Sequence, residues 1–270
     1  LLNYPKYSEC MDFTSVMANQ QEQNILFQIS ARNLSCITMF LPIFATLFCV
    51  IYSVVYDFKE STATHCRVKN YLPSISSAIG GFTPQRYVWR ICIALHSAPR
   101  ILVASSYYRF HSDVHAGPRN NLYQLLVKIC ISLHVIENLA LVLLTFISST
   151  ENHAVHENSF IVFMVCSQVY MLLTCFLVKW GRTQGGRKFT EQERQSFKYK
   201  VALFIFNVSA FLTAVYLFFR HNWYCEPGVY SLFALFEYLT VFSNIAFHGT
   251  AIQDFSGYSL FMVPPDTKSA

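Results

Sequence analysis

RYVWRICIALHSAPRILVASSYYR, Arg86 to Arg109, decides how many times this chain crosses a membrane. It is long enough to span, but Arg86, Arg90, His96 and Arg100 make it the least apolar of the candidate segments. Counted as a crossing it gives six spans and puts both termini on one side; five spans is the alternative. The rest of the chain argues for a membrane more directly. Of its 270 residues 53% are hydrophobic, 16% aromatic and only 13% charged, roughly half the charge of a soluble globular domain. Apolar runs of about 20 residues, enough to cross ~30 Å of hydrocarbon, recur along it. The predicted spans are 34–56, 86–109, 122–147, 159–180, 197–219 and 228–253, an all-α polytopic membrane helical bundle. Residues 1–33 then form a cytosolic N-terminal segment, 34–253 the transmembrane domain with a lumenal loop at 57–85, and 254–270 a cytosolic tail.

Orientation follows from the basic residues. Lys6, Arg32, Arg109, Arg119, the cations between Lys179 and Lys200, and Lys268 fall on one side; Lys59, Arg67, Lys69, Arg86 and Arg220 fall on the other. The positive-inside rule places the first set in the cytosol. The net charge of +5 reflects this asymmetry and not a nucleic-acid patch. The polar residues 1–24 offer no signal-peptide core, and the final TKSA matches no lipidation or retention signal. Of nine cysteines only Cys66 and Cys225 face the non-cytosolic side. They are predicted to form a disulfide, two unpaired thiols being the alternative. The Ser-, Gly- and Pro-rich loop 57–85 is the one lumenal loop large enough to form a lid.

At 100° per residue, Arg86, Arg90, His96 and Arg100 share one helix face within about 120°. An arginine at mid-membrane costs about 2.5 to 3.5 kcal/mol on insertion scales, so that face must look at partners or water. Two other spans carry matching stripes: His134, Glu137 and Asn138 on the third, and Glu237, Asn244 and His248 on the sixth. One stripe alone reads as a satisfied structural network. Three stripes of opposite charge read as a cavity. At 1.5 Å per residue, His96, Glu137 and Glu237 lie about 15 Å below the lumenal helix ends and Arg90 about 6 Å. A phospholipid-like ligand fits, its phosphate on Arg90 or Arg86 and its glycerol esters beside the deeper groups. HEN at His156–Asn158 and RHNWYCEPG at Arg220–Gly228 mark the cavity mouth, as sugar or phosphate contacts or as interfacial anchors. There is no GxSxG, no HExxH and no glycine-rich phosphate loop. No metal site and no cofactor is expected.

Longer strings carry a resemblance. FKESTATHCRVKNYLPSISSAIGGFTPQRYVWRICIALHSAPR, HVIENLALVLLTFISS, HENSFIVF, FRHNWYCEPGVYSLFALFEY and NIAFHGTA closely resemble the post-GPI-attachment-to-proteins factor 2 family, whose wider relatives include the DRAM autophagy modulators. The resemblance covers about Leu34 to Asp254. It implies a multi-pass protein of the Golgi membrane, with the endoplasmic reticulum membrane as a second compartment, that remodels the fatty acids of GPI anchors. In that scheme it acts downstream of a GPI sn-2 lipase, and lyso-GPI on GPI-anchored proteins is re-acylated with a saturated, stearoyl-type chain. Two roles stay open. As a lyso-GPI acyltransferase, His96 or His134 would be the general base, Glu137 would orient it, and Asn138 or Asn244 would donate to the oxyanion. Arg86, Arg90, Arg100, Glu237 and His248 would hold the substrate, and the acyl donor is unidentified. As a non-catalytic factor it would present lyso-GPI to a separate enzyme. A charged-core channel is a third reading.

Overall fold

The computed structural model describes residues 27–184 and 189–262, so the expectations for residues 1–26, for Arg187 and Lys188, and for the tail beyond 262 lie outside the described residues. In chain order the elements are β1 (Phe27–Ser30), α1 (Ala31–Tyr56), α2 (Phe58–Ser61), α3 (Ile75–Gly80), α4 (Gln85–Ser112), α5 (Asn120–Phe146), α6 (His153–Gln184), α7 (Glu191–Tyr224), α8 (Val229–Gly249), α9 (Ala251–Asp254) and β2 (Ser259–Met262). Five of the long helices are long and apolar enough to cross a membrane. The sixth, α4, is less apolar because of its arginines and histidines, yet its 28 residues extend about 42 Å. The six long helices close a ring: α1 packs on α4, α4 on α5, α5 on α6, α6 on α7, α7 on α8, and α8 on α1. Removing α4 would open that ring, so the segment with the most charge is one of its walls.

The surface is apolar and much of the interior is polar, the inverse of a soluble protein. Phe40, Ile51 and Val55 of α1, Ile91 and Leu95 of α4, Leu139 of α5, Val165 of α6 and Leu212 of α7 are exposed. Ser35, Thr46, Ser53, Ser167, Lys200, Asn207 and His221 are buried. Small hydroxyl side chains let helices approach closely and satisfy their own protons on the preceding turn, as Ser35 does on the Ala31 carbonyl and Thr46 on the Pro42 carbonyl. Pro42 has no N–H for the Thr38 carbonyl one turn back, and that carbonyl is taken by a side chain of α4, His96 Nδ1.

At one end β1 pairs antiparallel with β2, Phe27 opposite Met262 and Ser30 opposite Ser259, so the two ends of the described chain meet there. This ribbon was not expected from the sequence, which assigns the two segments to the cytosolic N-terminal segment and the cytosolic tail. At the other end Cys66 and Cys225 are joined, S–S 2.03 Å. The disulfide ties the loop after α2 to the α7–α8 turn. Gly228 supports the same turn with φ +78, a left-handed conformation that glycine adopts without a Cβ penalty, and its N–H donates to the Lys69 carbonyl at 3.0 Å. The expected lid is therefore a folded plug. Ser74 caps α3 by accepting from the Ser77 N–H, and Ile75 and Ile79 pack against Ala45, Cys49, Trp89 and Ile93 inside the ring.

Candidate active site

Arg100 organises the centre of the ring. It is 4% exposed and Glu137 0%, and its Nη2 lies 2.6 Å from Glu137 Oε1. The same Nη2 is 2.6 Å from His248 Nε2, and its Nε is 3.2 Å from His134 Nε2. A guanidinium only donates, so His134 Nε2 accepts from Arg100. His248 Nε2 also lies 3.2 Å from Glu137 Oε1, so this one nitrogen sits between a donor and an acceptor. Asn244 Nδ2 donates to Glu137 Oε1 at 3.2 Å and to Ser167 Oγ at 2.6 Å. Tyr170 stacks on His248, with centroids 5.1 Å apart and planes 9° apart, and lies against His134 at 4.6 Å. Four helices, α4, α5, α6 and α8, thus converge on one buried ion pair.

Beside this cluster is a cavity of about 70 Å³ lined by His96, Arg100, Glu237, Asn244 and His248 among apolar side chains that include Pro42, Trp89, Ile93, Leu144, Phe160 and Phe163. His96, 5% exposed, is held by a 2.7 Å hydrogen bond from Nδ1 to the Thr38 carbonyl of α1. A carbonyl only accepts, so Nδ1 carries the proton and Nε2 carries the lone pair. His96 Nε2 is buried and has no hydrogen-bond partner among the described residues.

Of the residues singled out from sequence, Arg100, His134, Glu137, Asn244 and His248 join one network, and His96 and Glu237 join the cavity. The others need correction. Arg90 does not stand above Glu137 and Glu237. It pairs with Glu151 at 2.9 Å and donates to the Phe146 carbonyl, also at 2.9 Å. The helical angle was right for its face, but at its height α4 meets the unsatisfied carbonyls at the end of α5. Arg86 also lies off the cavity, against the Tyr87 ring at 5.9 Å, with its Nε unpartnered. Asn138 donates to the Ser97 carbonyl at 3.0 Å, tying α5 to α4, and its Oδ1 is buried without a partner among the described residues. Asn244 commits both amide N–H donors, to Glu137 and Ser167. His134 as a base is blocked by Arg100 on its only lone pair. Glu237 Oε2 accepts from the Ile75 N–H at 3.0 Å, holding α3 in place.

Family comparison places this geometry. The Frag1/DRAM/Sfk1/Cwh43P N-terminal domain family matches residues 31–258, which takes in every long helix and each site residue above. The chain belongs to that family. Among its relatives, Acyltransferase PGAP2 of Xenopus tropicalis is 44% identical over 245 residues, covering 91% of this chain and 95% of that protein. Post-GPI attachment to proteins factor 2 of Drosophila melanogaster is 42% identical over 241 residues, covering 89% of this chain and 91% of that protein. Protein cwh43 of Schizosaccharomyces pombe is 22% identical over 220 residues, only 20% of its own length. No solved structure matches.

For this member of the Frag1/DRAM/Sfk1/Cwh43P family, sequence reasoning missed Thr38, Ser167 and Tyr170. Ser167 and Tyr170 stand three residues apart on the third-from-last long helix, α6, a spacing that puts both on one face. That polar pair in an apolar run was the available signal. The Arg90 and Glu151 contact gives a test outside the spans. The Ser148 N–H, followed by the Arg90 hydrogen bond, holds the Glu151 carboxyl down at about 2. Its folded value is below its unfolded one, so its contribution is complete above about 4.5 and fades as pH falls toward about 2. The melting-temperature difference between wild type and Glu151→Gln is expected to be constant from neutral pH down to about 5 and to shrink below that. A difference that vanishes at neutral pH would contradict this role.

Proposed function

We propose that this chain acts in GPI-anchor maturation, as a membrane acyltransferase that re-acylates the sn-2 hydroxyl of lyso-GPI with a stearoyl-type chain. The observation carrying this reading is His96, a residue lining a mostly apolar cavity, a buried imidazole whose Nδ1 is fixed by a backbone carbonyl and whose Nε2 has no partner among the described residues. That is how a general base is held in the right tautomer. The names of the PGAP2 and post-GPI attachment relatives support the substrate class. The disulfide end faces the Golgi lumen in this scheme, where a lipase has already removed the sn-2 chain.

In the transfer, His96 Nε2 takes the proton of the acceptor hydroxyl as its oxygen attacks the donor ester, then gives it to the departing oxygen. Arg100, Glu137, His134 and His248 form the rigid floor. A volume of about 70 Å³ holds about two waters, so the cavity widens when a lipid enters. The second reading, a presenter of lyso-GPI to another enzyme, draws on the occupied lone pair of His134 and on His248 being held between Arg100 and Glu137.

Purified protein reconstituted with lyso-GPI and labelled phospholipid as the sole donor distinguishes the two. The account predicts label on the sn-2 position of GPI with no second protein present. Tight lyso-GPI binding without any transfer would favour the presenter.

A further inference from the structure

The cluster HEN at His156 is more than an anchor. We propose that Ser76 is a nucleophile that carries the acyl group as an ester, with His156 as its base; this deepens the acyltransfer reading above and rests on it. Ser76 Oγ lies 3.1 Å from His156 Nε2, and His156 Nδ1 lies 2.9 Å from the Ile147 carbonyl. The carbonyl fixes the proton on Nδ1, so Nε2 offers its lone pair and the Ser76 hydroxyl donates to it. A hydroxyl nucleophile, an adjacent imidazole and a third group orienting that imidazole form the arrangement that activates serine.

Each member comes from a different element: Ser76 from α3, His156 from α6 and the carbonyl from the end of α5. His156 is only 8% exposed. Ser76 is positioned firmly, because α3 is capped by Ser74, held by Glu237 through the Ile75 N–H, and pinned by buried Ile75 and Ile79. Ser76 also lines the same cavity as His96, with Phe160, Phe163, Trp89 and Ile93 as apolar walls for an acyl chain.

The donor is a glycerophospholipid ester in the leaflet at the disulfide end. In the first half-reaction the Ser76 proton passes to His156 Nε2 while Oγ bonds to the ester carbonyl carbon. The donor carbon–oxygen bond then breaks, and a lysophospholipid leaves with the proton from His156. In the second, the acceptor hydroxyl gives its proton to His96 and bonds to the acyl carbon, and that proton moves to Ser76 Oγ as the serine ester breaks. No oxidant and no activated thioester is needed, so the donor need not cross from the cytosolic side.

The test uses the purified full chain in vesicles of phosphatidylcholine with deuterated stearoyl chains. With lyso-GPI withheld, acid quenching and peptide mass spectrometry are expected to find a deuterated stearoyl adduct on Ser76, and adding lyso-GPI should remove it. Ser76→Ala is expected to lower re-acylation by about 100-fold or more while keeping lyso-GPI binding. Wild type that transfers label without any adduct on Ser76, or Ser76→Ala that transfers at the wild-type rate, would overturn the nucleophile and leave the acyltransfer reading standing. An adduct on Ser76 with no transfer to lyso-GPI would support the nucleophile and remove the re-acylation reading. The adduct measurement on wild type holds even if Ser76→Ala fails to fold.

Discussion

Arg100→Ala is expected to cost the bundle about 3–5 kcal/mol, because it leaves the Glu137 carboxylate buried with no cation beside it. Glu137 is 0% exposed and takes its shortest contact, 2.6 Å, from this guanidinium. The same substitution strips His134 of its donor and His248 of its 2.6 Å contact. Replacing both charges, as Arg100→Leu with Glu137→Leu, is expected to recover most of the loss, since the desolvation of both ions disappears together. Thermal melting in detergent, read as a double-substitution cycle, checks this. Additive losses would show that the two residues do not act as a pair. Unchanged melting for Arg100→Ala would place the guanidinium outside the core.

His96→Asn is expected to lower acyl transfer by about 10² to 10⁴-fold, the usual contribution of a positioned base. Asparagine keeps a donor at the Nδ1 position for the Thr38 carbonyl, so lyso-GPI binding and melting are expected to stay near wild type. That separation of rate from stability marks His96 apart from His134. His134→Ala is expected to lower stability first and activity only in proportion, because its ring serves Arg100 and packs on Tyr170. Wild-type turnover in His96→Asn would remove the base and with it the mechanism proposed above.

Much of the architecture could be read from the residues, and the reason lies in the membrane. Hydropathy alone finds the apolar helices, and the charged face of α4 implies burial because lipid cannot solvate it. The meeting of guanidinium and carboxylate across helices was legible as a type of contact, and its members, Arg100 and Glu137, come from the packing. A helical wheel fixes angle, but height depends on where each neighbour starts, and that is a property of the assembly. Glu137 lies about 14 Å from the disulfide end of α5 and His248 about 28 Å from the start of α8, yet the two side chains approach to 3.2 Å. The plug was illegible for a similar reason. Ser76 and His156 are 80 residues apart, and only the folding of α3 into the ring brings them together.

The central claim is that the small cavity beneath α3 is where the glycerol of lyso-GPI meets His96. A cryo-electron microscopy map of the protein with lyso-GPI bound tests this most directly. The account predicts a widened cavity, apolar density between Trp89 and Phe163, and the free sn-2 hydroxyl within about 3.2 Å of His96 Nε2. Lyso-GPI held on the outer surface of the ring, with the cavity still closed over His96, would contradict it.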